Sequence, residues 1–145
     1  MTILVKETIL NEALKVFNKI PEFDRYEYGT VEYCQKRINN RDSLILSAYV
    51  NENNVAYLIA YEDNNSFYCW VTAVEPSFRQ NGILSKMMKI YEEYAKKHNY
   101  KEISIKTDNN KREMLNYLVK NNWDFVDVIK NSDLKNNEIL LKKEI

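Results

Sequence analysis

The residues best placed to do chemistry lie in one short loop, Ser77-Phe78-Arg79-Gln80-Asn81-Gly82. It is polar, carries a guanidinium, and closes on one of only two glycines in the chain. Before it, Phe67–Val74 is a run of β-branched and aromatic residues, stopped by Pro76, which cannot continue a ladder. After it the apolar period becomes helical, with Leu84, Met87, Met88, Tyr91 and Ala95 on one stripe. A loop that ends in glycine and opens into a helix offers unpaired N–H groups at the positive end of the helix dipole. That arrangement suits a phosphate or pyrophosphate. Gly82 lets the ligand come close, because a Cβ there would stand in its way.

Other reactive residue types are sparse. One His and two Cys without ligand spacing predict no metal site. Cys69 reads as a small core hydrophobe before it reads as a nucleophile. Trp70 reads as core, and His98 as a helix-end residue that suits the dipole. Eleven tyrosines is a high count, enough for several to line a cleft.

The elements that must position this loop follow from periodicity. Ile3–Val5 is a short strand. Thr8 is expected to cap a helix with Ile9, Leu10, Ala13, Leu14 and Phe17 on one face, closed by Pro21. The stretch Pro21–Gly29 is aromatic and acidic without a period. Thr30 caps a second helix, with Val31, Cys34 and Ile38 inward and Asn39-Asn40 at its end. Leu44–Val50, Val55–Tyr61 and Phe67–Val74 are strands separated by Asn-rich breaks, which predicts an antiparallel meander. The helix Leu84–Lys97 comes next, then a strand Lys101–Thr107. Asn110 is expected to cap a fourth helix carrying Met114, Leu115, Leu118 and Val119 inward. Trp123–Ile129 and Glu138–Lys142 are the last strands, joined by a polar loop.

The chain of 145 residues suffices for one domain, 1–145, with a real core. Basic and acidic residues balance at 21 each, so no basic field gathers nucleic acid. No apolar run reaches membrane-spanning length and no signal-peptide pattern opens the chain. Cys34 and Cys69 read as free thiols in a reducing cytoplasm.

Arg79-x-x-Gly82-x-Leu84, preceded by Val74-x-Pro76, resembles motif A of the Gcn5-related N-acetyltransferases. Leu84 stands where that pattern has a small residue. The element order β-α-α-β-β-β-α-β-α-β-β resembles the family's over the full chain. Asn122-Trp123 stands at the family's Gly-Phe pair. The resemblance implies an α/β (α+β) acyl-CoA N-acyltransferase fold, a mixed, mostly antiparallel sheet of about seven strands with four helices. It implies acetyl-CoA as co-substrate and transfer of the acetyl group to an amine of a small molecule or peptide by direct attack in a ternary complex. It leaves a homodimer open. The alternative is a catalytically silent domain of the same fold that binds CoA or a protein partner.

The resemblance also assigns roles. Backbone N–H groups of Gln80, Asn81, Gly82, Ile83, Leu84 and Ser85 would hold the pyrophosphate, with Arg79 adding charge and Asn110 bonding the pantetheine arm. Backbone N–H groups of Ala73 and Val74 would stabilise the oxyanion, which typically is worth about 3 kcal/mol. The family's acid is a Tyr whose position falls on Leu118. Tyr117, one residue earlier, is the candidate here, with a packing role as the alternative. Tyr68 stands where histone-modifying relatives have a carboxylate base. Glu62 and Asp63 are remote candidates that read as turn residues. Tyr26 and Tyr28, with Tyr68, are the candidate acceptor-site residues, and Glu22, Asp24 and Glu27 would make that wall acidic.

Overall fold

The computed structural model describes residues 1–145. The strands are β1 (Ile3–Glu7), β2 (Ser43–Val50), β3 (Asn53–Asp63), β4 (Ser66–Val74), β5 (Glu102–Asp108), β6 (Asp124–Ile129) and β7 (Glu138–Glu144). The helices are α1 (Leu10–Ala13), α2 (Val31–Ile38), α3 (Ile83–Lys97) and α4 (Arg112–Lys120). One seven-stranded sheet runs β1-β2-β3-β4-β5-β7-β6, antiparallel throughout except for β4 beside β5. The meander forms because each hairpin turns on two residues with positive φ, Asn51-Glu52 and Asn64-Asn65. Such turns match the twist of the strands they join.

Several elements differ from the sequence-based expectation. Thr8 does not cap the first helix; its N–H bonds to Ile45 O, and Ile9 occupies the cap without a side-chain bond. The helix tightens after one turn into a 3₁₀ stretch, Leu14–Lys19. Asn110 does not cap α4, since Lys111 takes that position. Val119, expected inward, is 57% exposed. On α3 the buried stripe starts at Ile83, with Leu84 only partly covered. Thr30 does cap α2, its hydroxyl oxygen accepting from Tyr33 N–H at 3.3 Å. Asn122 adopts φ 67°, a conformation that Asn tolerates better than most residues. The side chain after it, Trp123, is buried in the core.

The one parallel pair positions the site. β4 and β5 pair only from Phe67↔Ile103 to Cys69↔Ile105. At that end the Tyr91 hydroxyl, fully buried on α3, bridges Phe67 O on β4 and Ser104 O on β5. The hydroxyls of Ser66 and Ser104 bond at 2.9 Å beside it. Just beyond, the β3–β4 register steps from Ala60↔Cys69 to Ile59↔Val71, so Trp70 is an extra residue on β4. Such a bulge bends its strand. The pair is therefore pinned at one end and splayed at the other.

On the face opposite α3 and α4, the 3₁₀ stretch and α2 cover Tyr57, Ile59 and Ala73. Gly29 belongs to this packing: a Cβ built there falls 2.3 Å from Phe17 Cδ1, and the Phe17 ring is itself 5.3 Å from that of Phe23. Gly29→Ala is expected to lower stability by about 1–3 kcal/mol through overpacking. A urea midpoint that falls in Gly29→Ala and recovers when Phe17→Leu is added checks the cause.

Candidate functional site

Past the bulge, the two sides of β4 differ. The Glu75 N–H donates to Val55 O on β3 at 2.8 Å. Alternation along the ladder then turns the N–H groups of Ala73 and Val71 toward β3, and those of Thr72 and Val74 toward the splay. Of the two expected oxyanion donors, Val74 thus faces open space. Ala73 does not, because its amide belongs to the sheet. The Val74 carbonyl, on the same open side, accepts from Arg79 Nε at 2.9 Å.

The loop after Pro76 is built as its sequence implied, with one exception. Gln80 and Gly82 have φ of 64° and 81°, and α3 begins at once after Gly82. Its first intrahelical bond runs from Lys86 N–H to Gly82 O, which leaves the amides of Ile83, Leu84 and Ser85 without helical partners. A Cβ built on Gly82 meets nothing within 4 Å. The exception is Arg79. Its guanidinium grips Glu22 through both terminal nitrogens, at 2.8 and 3.1 Å, and is not turned to the loop amides. Asn81 is exposed, and its side chain bonds to Phe78 O and Arg79 O.

Two cavities meet at the splay. One, about 520 Å³, is lined by Gln80, Gly82, Ile83, Leu84, Ser85, Val74, Asn110 and Tyr117, among others. The second, about 370 Å³, lies under the aromatic side chains of Phe23, Tyr28, Tyr57 and Trp70. Thr72, Glu22, Phe23, Lys111 and Met114 line both. Nothing in the sequence marks Thr72 but its place two residues before Val74. Its Oγ1 is buried without a hydrogen-bond partner. A buried hydroxyl left so costs about 1–3 kcal/mol. Lys111 and Arg112, also missed, bring positive charge to the larger cavity.

The structure separates the remaining candidates. Tyr117 lines the larger cavity half-buried, and burial, then the nearby Glu92 carboxylate, raises its pKa above the ordinary tyrosine value. Leu118 is fully buried and faces the core. Tyr28 lines the smaller cavity, its ring 6.1 Å from Trp70. Tyr26 does not belong there; it is 78% exposed, on the outside of a 3₁₀ turn. Tyr68 lines neither cavity, being packed against Tyr61. Trp70 is not plain core but cavity wall, with the Arg37 guanidinium 4.3 Å above it. Cys69 is fully buried, which pushes its thiol far up and leaves no thiolate for nucleophilic attack. His98 stacks on Tyr94 at 3.8 Å, and Glu62 and Asp63 hold Asn65 N–H and Arg41 respectively.

The Arg79 side chain beside Glu22 holds that carboxyl below its ordinary pKa of 4.5. The pair contributes fully above pH 4.5 and is lost as pH falls through the lower folded value. Both partners are about a third exposed, so the effect is expected to be about 0.5 kcal/mol. Wild type should be more stable than Glu22→Gln at neutral pH, and the difference should shrink as pH falls below 4.5. Melting curves on both sides of pH 4.5 check it.

A glycine loop feeding a helix, a splayed parallel pair and a cavity on each side of it together define the acyl-CoA N-acyltransferase fold. An acetyltransferase (GNAT) family model matches residues 8–121, and the chain belongs to that family. No curated protein sequence matches it. Solved structures resemble it at low identity. The ribosomal-protein-S18-alanine N-acetyltransferase from Escherichia coli superposes with a TM-score of 0.82 at 10% identity, over 99% of this chain and 94% of its own. The PaiA N-acetyltransferase from Thermoplasma acidophilum, in complex with coenzyme A, gives 0.75 at 14%, over the whole of both chains. A GNAT family acetyltransferase from Elizabethkingia anophelis with acetyl-CoA bound gives 0.72 at 18%, over 99% and 98%. No helix here is long and apolar enough to cross a membrane.

Proposed function

We propose that the protein transfers the acetyl group of acetyl-CoA to an amine of a small molecule or peptide, by direct attack in a ternary complex. The observation that carries this is the meeting of two cavities at Thr72, one floored by the glycine loop and the other walled by aromatic rings. The fold shared with relatives that hold coenzyme A or acetyl-CoA supports the assignment of the larger cavity to the donor. The residues present fit that donor. Gly82 leaves room for a phosphate, the amides of Ile83 to Ser85 point at it, and Lys111 and Arg112 supply charge. Asn110 lines the same space, where its amide would bond the pantetheine arm.

The thioester supplies an activated acyl carbon. Attack by a neutral amine forms the C–N bond and pushes the carbonyl electrons onto oxygen, where the Val74 N–H stabilises them. Collapse breaks the C–S bond, and Tyr117 gives its proton to the departing thiolate. Its raised pKa keeps that proton in place at neutral pH. The attacking amine loses its proton to water. Both cysteines are buried free thiols, which supports a reducing, cytoplasmic setting.

An assay of thiol release from acetyl-CoA against a panel of amines and peptides tests this. Acetylated product from at least one amine, dependent on Val74-side binding of acetyl-CoA, is the expected result. Tight acetyl-CoA binding with no transfer to any amine would leave a silent CoA-binding domain instead.

A further inference from the structure

Arg79 stands in the glycine loop, yet its charge is turned away from the loop's amides. Its Nε donates to Val74 O at 2.9 Å, and its terminal nitrogens donate to the two oxygens of the Glu22 carboxylate at 2.8 and 3.1 Å. Both partners line the larger cavity, so the pair lies within the space assigned to the donor. Glu22 also lines the smaller cavity, as does its neighbour Phe23. One guanidinium thus ties the loop after β4 to the segment before α2 that walls the second space.

This pair can be exchanged. Each side chain is about a third exposed, a setting in which an ion pair contributes little. A pyrophosphate offers the same planar fork more negative charge and an equally bidentate match. The loop keeps Arg79 close to where that charge would sit. Asn81 Nδ2 donates back to Phe78 O and Arg79 O, and Gln80 and Gly82 both have positive φ, so the chain turns tightly. Three residues span at most about 11 Å even when extended, which bounds the distance from the Arg79 Cα to that of Gly82. Glu22 is not stranded when Arg79 leaves. Lys111 lines the same two cavities, makes no ion pair, and already acts on the Glu22 carboxyl through space.

We propose that the Glu22–Arg79 pair is an autoinhibitory contact: in the empty protein it withholds the glycine loop's own cation, and the donor's pyrophosphate binds by taking Arg79 from Glu22. Filling the larger cavity then unties the Glu22 segment and frees one wall of the smaller cavity. This rests on the reading of the larger cavity as the CoA site, and it adds how that site is regulated.

The test is calorimetry with CoA, and with pantetheine, which lacks the pyrophosphate. The proteins are wild type, Glu22→Gln, Arg79→Met and the double variant, each checked for folding by circular dichroism. Glu22→Gln is expected to bind CoA about two- to fivefold more tightly than wild type, the effect of one partly exposed ion pair that no longer has to be broken. Its affinity for pantetheine should equal that of wild type. Arg79→Met should weaken CoA binding, and adding Glu22→Gln to it should change nothing further, because the contested cation is gone. Arg79→Gln, which keeps a donor for Val74 O, takes its place if Arg79→Met unfolds. Unchanged or weaker CoA binding by Glu22→Gln would overturn the contact, and so would an equal gain for pantetheine. A gain that persists without Arg79 would also overturn it, since that is what general repulsion between Glu22 and the phosphates gives. Failure of every protein, wild type included, to bind CoA would defeat the donor reading and the contact together. Equal CoA binding by all four would defeat the contact alone, so the two fail distinguishably.

Discussion

Gly82→Trp is expected to weaken acetyl-CoA binding at least about 100-fold while the protein stays folded. The reasoning has two parts. In the structure Gly82 sits at φ 81°, ψ 8°, directly before α3, and a Cβ built there touches no protein atom within 4 Å. The indole therefore has room, and the fold loses only the cost of a side chain in the left-handed region, about 1–2 kcal/mol. The room it takes, though, is the space in front of the Ile83, Leu84 and Ser85 amides, on the floor of the larger cavity. A pyrophosphate and an indole cannot share it. Gly82→Ala separates the two effects, since it carries the backbone cost with little bulk. Calorimetry with acetyl-CoA, and circular dichroism on each variant, give the readouts. Unchanged affinity in Gly82→Trp would show that the cofactor does not lie on this loop.

Tyr117→Phe is expected to lower kcat by about 10²–10⁴-fold, the range for removing a general acid. The acetyl-CoA dissociation constant should move far less than turnover. The hydroxyl makes no hydrogen bond within the protein and the residue is half-buried, so its loss should leave stability unchanged or slightly improved. That separates the acid from the packing role, in which stability falls and kcat does not. Because burial and then Glu92 raise the pKa, the wild-type rate should show no alkaline loss from this group until above the ordinary tyrosine value of 10. A Phe variant with wild-type kcat would remove Tyr117 from the chemistry and leave the thiolate to depart unprotonated.

Much of this architecture was legible because it depends on local patterns. The Asn pairs at 51–54 and 64–65 signalled tight hairpins, and Asn residues do take the left-handed conformations those turns require. Pro76, Gly82 and the 3.6-residue stripe after it marked a strand, a loop and a helix in that order, and the helix amides follow from that sequence alone. The departures from the family's pattern also have local reasons. Asn122 takes a positive φ, and Trp123 fills the core position beside it. Leu84 lies partly on the core and partly on the cavity wall, without filling the loop.

What stayed hidden was set by long-range contacts. Thr8 has the right side chain for a helix cap, but its N–H is claimed by Ile45 across the sheet. Arg79 has the right charge for a phosphate, but Glu22, 57 residues earlier, holds it. Tyr26 and Tyr28 are two residues apart on one 3₁₀ turn, so one faces the cavity and the other solvent. Ala73 and Val74 looked alike as amides, and only the side of β4 that pairs with β3 tells them apart. Asp108 and Glu138 are 30 positions apart and meet through strand register alone.

The sequence by itself determined the element order, the two hairpins, the glycine loop at a helix start and hence the family. Those features are written in propensity and period, which act over a few residues. The tertiary structure decided where β4 and β5 part, which amide faces the gap, which guanidinium is already engaged, and which carboxylates confront each other. Each of these depends on the partner that another part of the chain supplies, and a buried polar group takes its role from that partner.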